Sequence, residues 1–267
     1  MAELKQILAT PIIYMLSLII SGFCVEEVVK FVEPPTLIQC QNCINNADDI
    51  EAKLRASLQN YLSTCQFFTP NKILALELNK KLETATNSCL EFQQKLCKSL
   101  SSKYLGTSYG SLSSSGAYLD FMQWYSYLIN RLVIRPLQLF CVNESYEQSS
   151  PNLHLSDDAQ QLLAQREIEL YRQIKESIEK EWSSVESRKE AFEEIGAWDE
   201  IAEQHRSFTQ SIHQLQTTFP TFREDTLSFI QYPYQGSLLS TPIRMIAFIE
   251  ITTWYLDFLE QRILNDS

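Results

Sequence analysis

The sequence predicts an all-α protein, and three observations predict it. Apolar residues recur at intervals of three and four almost everywhere, and strict alternation is almost absent. Only six glycines and nine prolines interrupt 267 residues. The longest periodic run, Ser156 to Phe219, keeps one apolar face throughout. The expected architecture is a helical bundle with a long helix or coiled-coil-like helical hairpin in the C-terminal half.

Residues 7–24 read ILATPIIYMLSLIISGFC, and Ile7 to Phe23 carry no charge between Lys5 and the pair Glu26-Glu27. A secretory leader needs an apolar stretch of about 7–15 residues after a basic start, and a membrane span needs about 18 or more. This run lies between the two. Gly22 and Cys24 are small enough for cleavage before Val25, a cut after Gly22 is the alternative, and Phe23 directly before Cys24 argues against lipidation. Glu3 partly cancels Lys5, and Pro11 fits a helix poorly. Residues 1–24 are therefore read as a signal peptide or an N-terminal anchor, with a buried soluble helix as the remaining option.

Val25, Val28, Val29 and Val32 keep helical spacing until Pro34-Pro35 stops them. Residues 36–66 and 71–104 read as paired antiparallel helices about a turn at 67–70, with Pro70 entering the second. Residues 105–116, rich in Gly and Ser, read as a flexible linker. Residues 117–140 read as an aromatic helix ending at Pro136, in which Asp120, Arg131 and Arg135 argue against a membrane span. A loop over 141–155 holds the Asn143-Glu-Ser145 glycosylation sequon. Ser156 then caps a helix that opens with Asp157 and Asp158.

The apolar face of that helix runs through Leu170, Ile174, Ile178, Trp182, Val185, Phe192, Ile195, Trp198, Ile201, His205, Phe208, Ile212, Leu215 and Phe219. Gly196 costs about 1 kcal/mol inside a helix, yet the face passes through it in step. One continuous helix over 157–219, about 90 Å long at 1.5 Å per residue, is preferred over a hairpin turning at Gly196. A shorter helix follows Pro220 to Gln231, then a turn at 232–236, then a final helix over 241–264 with Pro242 in its first turn. The domains expected are a cysteine-containing helical bundle over 25–141 and an acidic C-terminal region over 156–267.

Seven cysteines are present; without Cys24, six remain, all between Cys40 and Cys141. Such confinement suits disulfides stapling one subregion, and disulfides persist in oxidising compartments. Folding about residue 69 brings position 43 opposite 95, so Cys97 comes within about one turn of Cys40 and Cys43. Cys65 and Cys89 then lie too far apart to pair, which leaves one of them for Cys141. All six are disulfide candidates.

The net charge is −11, and residues 157–219 hold fourteen acids against seven bases. No basic stripe exists, which excludes nucleic acid as an expected partner. Gly106-Thr-Ser108-Tyr-Gly110 matches the G-x-S-x-G nucleophile elbow, but that motif needs a preceding strand and a parallel sheet. Cys40-x-x-Cys43 lacks the βαβ context of a redox motif and the further ligands of a zinc site. His205 and His213, with Glu200 and Glu203 nearby, lack the Glu-x-x-His pairs of di-metal bundles. His205 occupies an apolar position and is a pH-sensitive core candidate. The aromatic run Tyr118, Phe121, Trp124, Tyr125 and Tyr127 reads as core. No cofactor or metal is expected.

The resulting expectation is an exported, non-enzymatic helical protein that binds another protein at the cell envelope or outside the cell. One alternative retains residues 7–24 as an anchor for an envelope component. The other is a serine hydrolase using Ser108.

Overall fold

A computed structural model describes residues 43–57, 72–104, 108–134, 157–236 and 239–265. The chain divides into two units, Met1–Thr36 and Leu37–Ser267, and all described residues belong to the second. The opening run 7–24, and Cys40, Cys65 and Cys141, lie outside the described residues. Among the described residues there is no strand, and no helix is long and apolar enough to cross a membrane.

The helices are α1 (43–57), α2 (Lys72–Lys103), α3 (Ser108–Ile129), α4 (Asp157–Glu186), α5 (Lys189–Glu194), α6 (Trp198–Gln231) and α7 (Ser240–Phe258). A π-helical turn extends α3 over Asn130–Ile134, and another extends α7 over Leu259–Leu264. A 3-10 turn at Tyr232–Tyr234 links α6 towards α7.

Side-chain partners define the topology. Ser102 meets Ser207 and Lys81 meets Ser228, so 21 residues forward along α2 are 21 residues back along α6. The two helices are antiparallel over nearly their full lengths. Phe92 and Phe121 pair α2 with α3. Ion pairs from Arg131 to Glu250 and from Arg262 to Asp120 set α3 antiparallel to α7. Glu167 lies 3.6 Å from Arg223, and Trp182 stacks on His205, so α4 runs antiparallel to α6. Helices α2, α3, α4, α6 and α7 therefore alternate in direction, the arrangement that short antiparallel connections favour.

The core is aromatic. Phe92 stacks on Phe222 with ring centroids 4.6 Å apart, and it also touches Phe121, Phe219 and Tyr255. These five side chains are fully buried and come from four helices, so the N-terminal and C-terminal segments build one core. Burying a large apolar side chain contributes about 1.5–3 kcal/mol. The aromatic run of α3 divides by face: Phe121 and Tyr125 are buried, whereas Tyr118, Trp124 and Tyr127 are half-covered.

Three sequence expectations change. The Ser-rich stretch from Ser108 is the first part of α3 rather than a linker, because it packs backbone to backbone on the end of α2. A Cβ at Gly110 would stand 2.8 Å from the Tyr104 carbonyl oxygen and 3.2 Å from that of Ser101. Pro220 lies inside α6 instead of ending it. Proline removes one helical hydrogen bond and crowds the preceding turn, but Phe219, Phe222, Leu227, Phe229 and Ile230 are buried on both sides of it and hold the helix in place. The 157–219 region is not one helix. It breaks at Ser187–Arg188 and reverses at Ile195–Ala197, where Gly196 takes φ +68°, a conformation glycine adopts without the steric penalty a Cβ brings.

Candidate docking surface at the hairpin tip

The reversal creates a tip that outruns its neighbours. The last residue of α2, Lys103, accepts a 3.2 Å hydrogen bond from Gln204 through its carbonyl, and its ammonium donates to the Ile263 carbonyl 2.9 Å away at the end of α7. The end of α2, the end of α7 and residue 204 of α6 are therefore level. Residues 198–203 continue for about 9 Å beyond that level at 1.5 Å per residue, accompanied by the end of α4 and by α5.

No residue from Glu179 to Ser207 is buried, although the segment carries Trp182, Val185, Phe192, Ile195, Trp198 and Ile201. Two elements meet inside it. Trp182 of α4 stacks on His205 at 4.2 Å and lies 5.4 Å from Trp198 of α6. Cations from the reversal cover part of this cluster: Lys189 sits over Trp198 and Arg188 over Phe192. Ile195, at the apex, is 73% exposed. Single exposed apolar residues are ordinary, but contiguous apolar surface rimmed by charge marks contact sites.

The rim is acidic. Residues 179–206 contain nine acids and four bases. Lys189 pairs with Glu193 and Arg206 with Glu203. Glu181, Glu186, Glu190, Glu194, Asp199 and Glu200 are exposed and make no ion pair among the described residues.

His205 lies in this tip and not in the closed core. Its Nε2 is buried without a hydrogen-bond partner. Burial lowers its pKa from the ordinary value, and the Glu181 carboxylate acts in the opposite direction. His213 is exposed further along α6. Among the described residues, no group of three or more His, Cys, Asp or Glu side chains could hold a metal ion.

Cysteine placement corrects the bridge suggested by register. Cys89 and Cys97 are free thiols, so Cys97 is not joined to Cys43 or Cys40. Glu51 and Arg55 of α1 are the charges acting on Cys89 of α2. What the register could not supply was direction: the Cys97 thiol hydrogen-bonds Ser114 of α3. Burial pushes the Cys97 pKa up to about 11, with Ser114 offsetting part of it. Burial likewise raises that of Cys89, against a hydrogen bond with Tyr125. Both thiols stay protonated at neutral pH and are poor nucleophiles.

Ser108 is the first residue of α3, and neither a strand nor a parallel sheet exists among the described residues. The strand–turn–helix context of a nucleophile elbow is missing there. Gly110 has a packing role instead, as the close approach to Tyr104 requires.

Periodicity assigned the tip residues to a continuous core face. Their surplus of carboxylates and the central Gly196 were the signals that distinguished them. No protein-family model, curated protein or solved structure matches this chain.

Proposed function

We propose that the protein is an exported helical binding protein, without chemistry of its own, that docks another protein through the α4–α6 tip. The observation carrying this reading is the half-covered apolar cluster from Trp182 to Ile201, with Ile195 exposed, on an arm that extends beyond the ends of α2 and α7. A chain that buries its Phe92 cluster completely has no folding need for a second aromatic group left half-covered. Export rests on the leader-like run 7–24 alone, because the described free thiols Cys89 and Cys97 lend it no support.

The test of docking is site-specific photo-crosslinking of the full chain in the cell that makes it. A crosslinking residue at Ile195 is compared with one at Leu76, which is 70% exposed near the opposite end of the bundle. One discrete protein adduct at 195 and none at 76 is expected. Equal labelling at both positions, or none at 195 in folded protein, overturns the reading. Export is read separately from the amino terminus of the mature chain, expected at Phe23 or Val25; a start at Met1 overturns cleavage.

A further inference from the structure

The charges around the tip select the partner's chemistry. Six exposed carboxylates with no ion pair among the described residues lie in the same segment as Phe192, Ile195 and Trp198, and the four bases of residues 179–206 include two that lie over the tip's own rings. Like charge raises the cost of approach by three occupants: a second copy of the same tip, a nucleic acid backbone and an anionic bilayer. We propose that the tip binds a cationic amphipathic helix of another protein, its apolar side chains seated on Phe192, Ile195 and Trp198 and its lysines or arginines facing the carboxylate rim. This inference rests on the docking reading above and adds the partner's charge and shape.

The two parts of the surface have different tasks. Apolar contact supplies holding energy, concentrated in a few central anchors. Exposed charge pairs add little each, but together they steer encounter and reject wrong partners. The strip is narrow, formed by the ends of two helices and the short α5. A single helix with anchors at i, i+3, i+4 and i+7 fits such a ridge better than a flat sheet does. Steering by exposed carboxylates is screened within about 10 Å at 0.1 M salt, which makes the association salt-dependent.

Calorimetric titration of the full chain with three synthetic peptides tests this. One carries Leu at i, i+3, i+4 and i+7 with Lys elsewhere, the second replaces Lys by Glu, and the third shuffles the first. The amphipathic Lys peptide is expected to bind at least about tenfold more tightly than either of the others, and to weaken about tenfold on raising salt from about 50 to 500 mM. A Phe192→Ser/Ile195→Ser variant of unchanged helicity should lose it. Glu190→Gln/Glu194→Gln/Glu200→Gln should weaken it about tenfold. Equal binding of the Glu peptide, equal binding of the shuffled peptide, no binding of any peptide, or unchanged binding by the Phe192/Ile195 variant each overturns the inference. If the Ile195 crosslink persists in such a case, the tip docks a partner of different charge; if the crosslink is lost too, the docking reading falls with it.

Discussion

The two halves of α6 receive the same kind of sequence and end in different environments. From Phe208 to Ile230 the helix presents Phe208, Ile212, Leu215, Phe219 and Phe222 to α2, α3 and α7, and all five are buried. From Trp198 to Ser207 it presents Trp198, Ile201 and His205 at similar spacing, and none is buried. The difference does not come from apolar content. It comes from where the neighbours end: among the described residues, α2 and α7 finish level with Gln204, while the end of α4 and α5 accompany α6 further. An apolar face becomes core only where enough elements converge to exclude water from every side.

That comparison can be broken most forcefully from the covered half. Phe92→Ala removes the ring that touches Phe121, Phe219, Phe222 and Tyr255 and should cost about 3–5 kcal/mol of unfolding free energy in urea. A loss below about 1 kcal/mol would mean that the five rings do not form one core. Pro220 is exposed, so replacing it leaves packing untouched and restores a helical hydrogen bond. Pro220→Ala should stabilise the protein by about 1–3 kcal/mol; destabilisation would show that the proline shapes α6 to fit α2.

The tip that leads into α6 should answer more weakly. Gly196→Ala forces a Cβ into φ +68°, at a cost of about 1–2 kcal/mol, and amide exchange should rise over 187–203 while the Phe92 region keeps its protection. Ile195→Ser should change unfolding free energy by no more than about 0.5 kcal/mol, although it should abolish the 195-dependent docking. A loss as large as that of Phe92→Ala would place Ile195 in the folding core and remove the distinction between the halves.

The smallest expected effect is with pH. Burial holds the His205 pKa below the ordinary 6.5, so the unfolded chain takes up a proton before the folded tip does. Stability then falls as pH drops below about 6.5 and is flat above it. His205→Gln should flatten that slope, read as the difference in urea midpoint between pH 5 and pH 8. An identical slope in both proteins would show that Glu181, which opposes the burial effect, balances it.

Much of this was legible in the residues. The all-α class followed from the 3.6-residue period, the turn at 232–236 from its Pro and Gly, and the helix after it from Pro242 in the first turn. His205 was expected in the core, and the structure places it half-covered against Trp182 in a two-helix tip. Pro220 misled because local propensity is a weak prior where buried rings lie on both sides of a residue. Ser111 and Ser115 misled for a related reason: loop-like composition does not record that Gly110 lets α3 lie against α2. Of the G-x-S-x-G match, Gly110 answers to the Tyr104 carbonyl, while Gly106 and Thr107 lie outside the described residues.

Taken alone, the residues determined the all-α class, the apolar faces and the acidity of the segment from 157 to 219, because each follows from the pattern within a few positions along the chain. Only the tertiary structure decided that α2 and α6, more than a hundred positions apart, lie antiparallel in one core, that Cys97 faces Ser114, and that Trp182 to Ile201 stand clear of the bundle. Those outcomes depend on helix register and on where each neighbour stops. A one-dimensional pattern cannot encode either, because an apolar face reads the same whether three helices meet it or one.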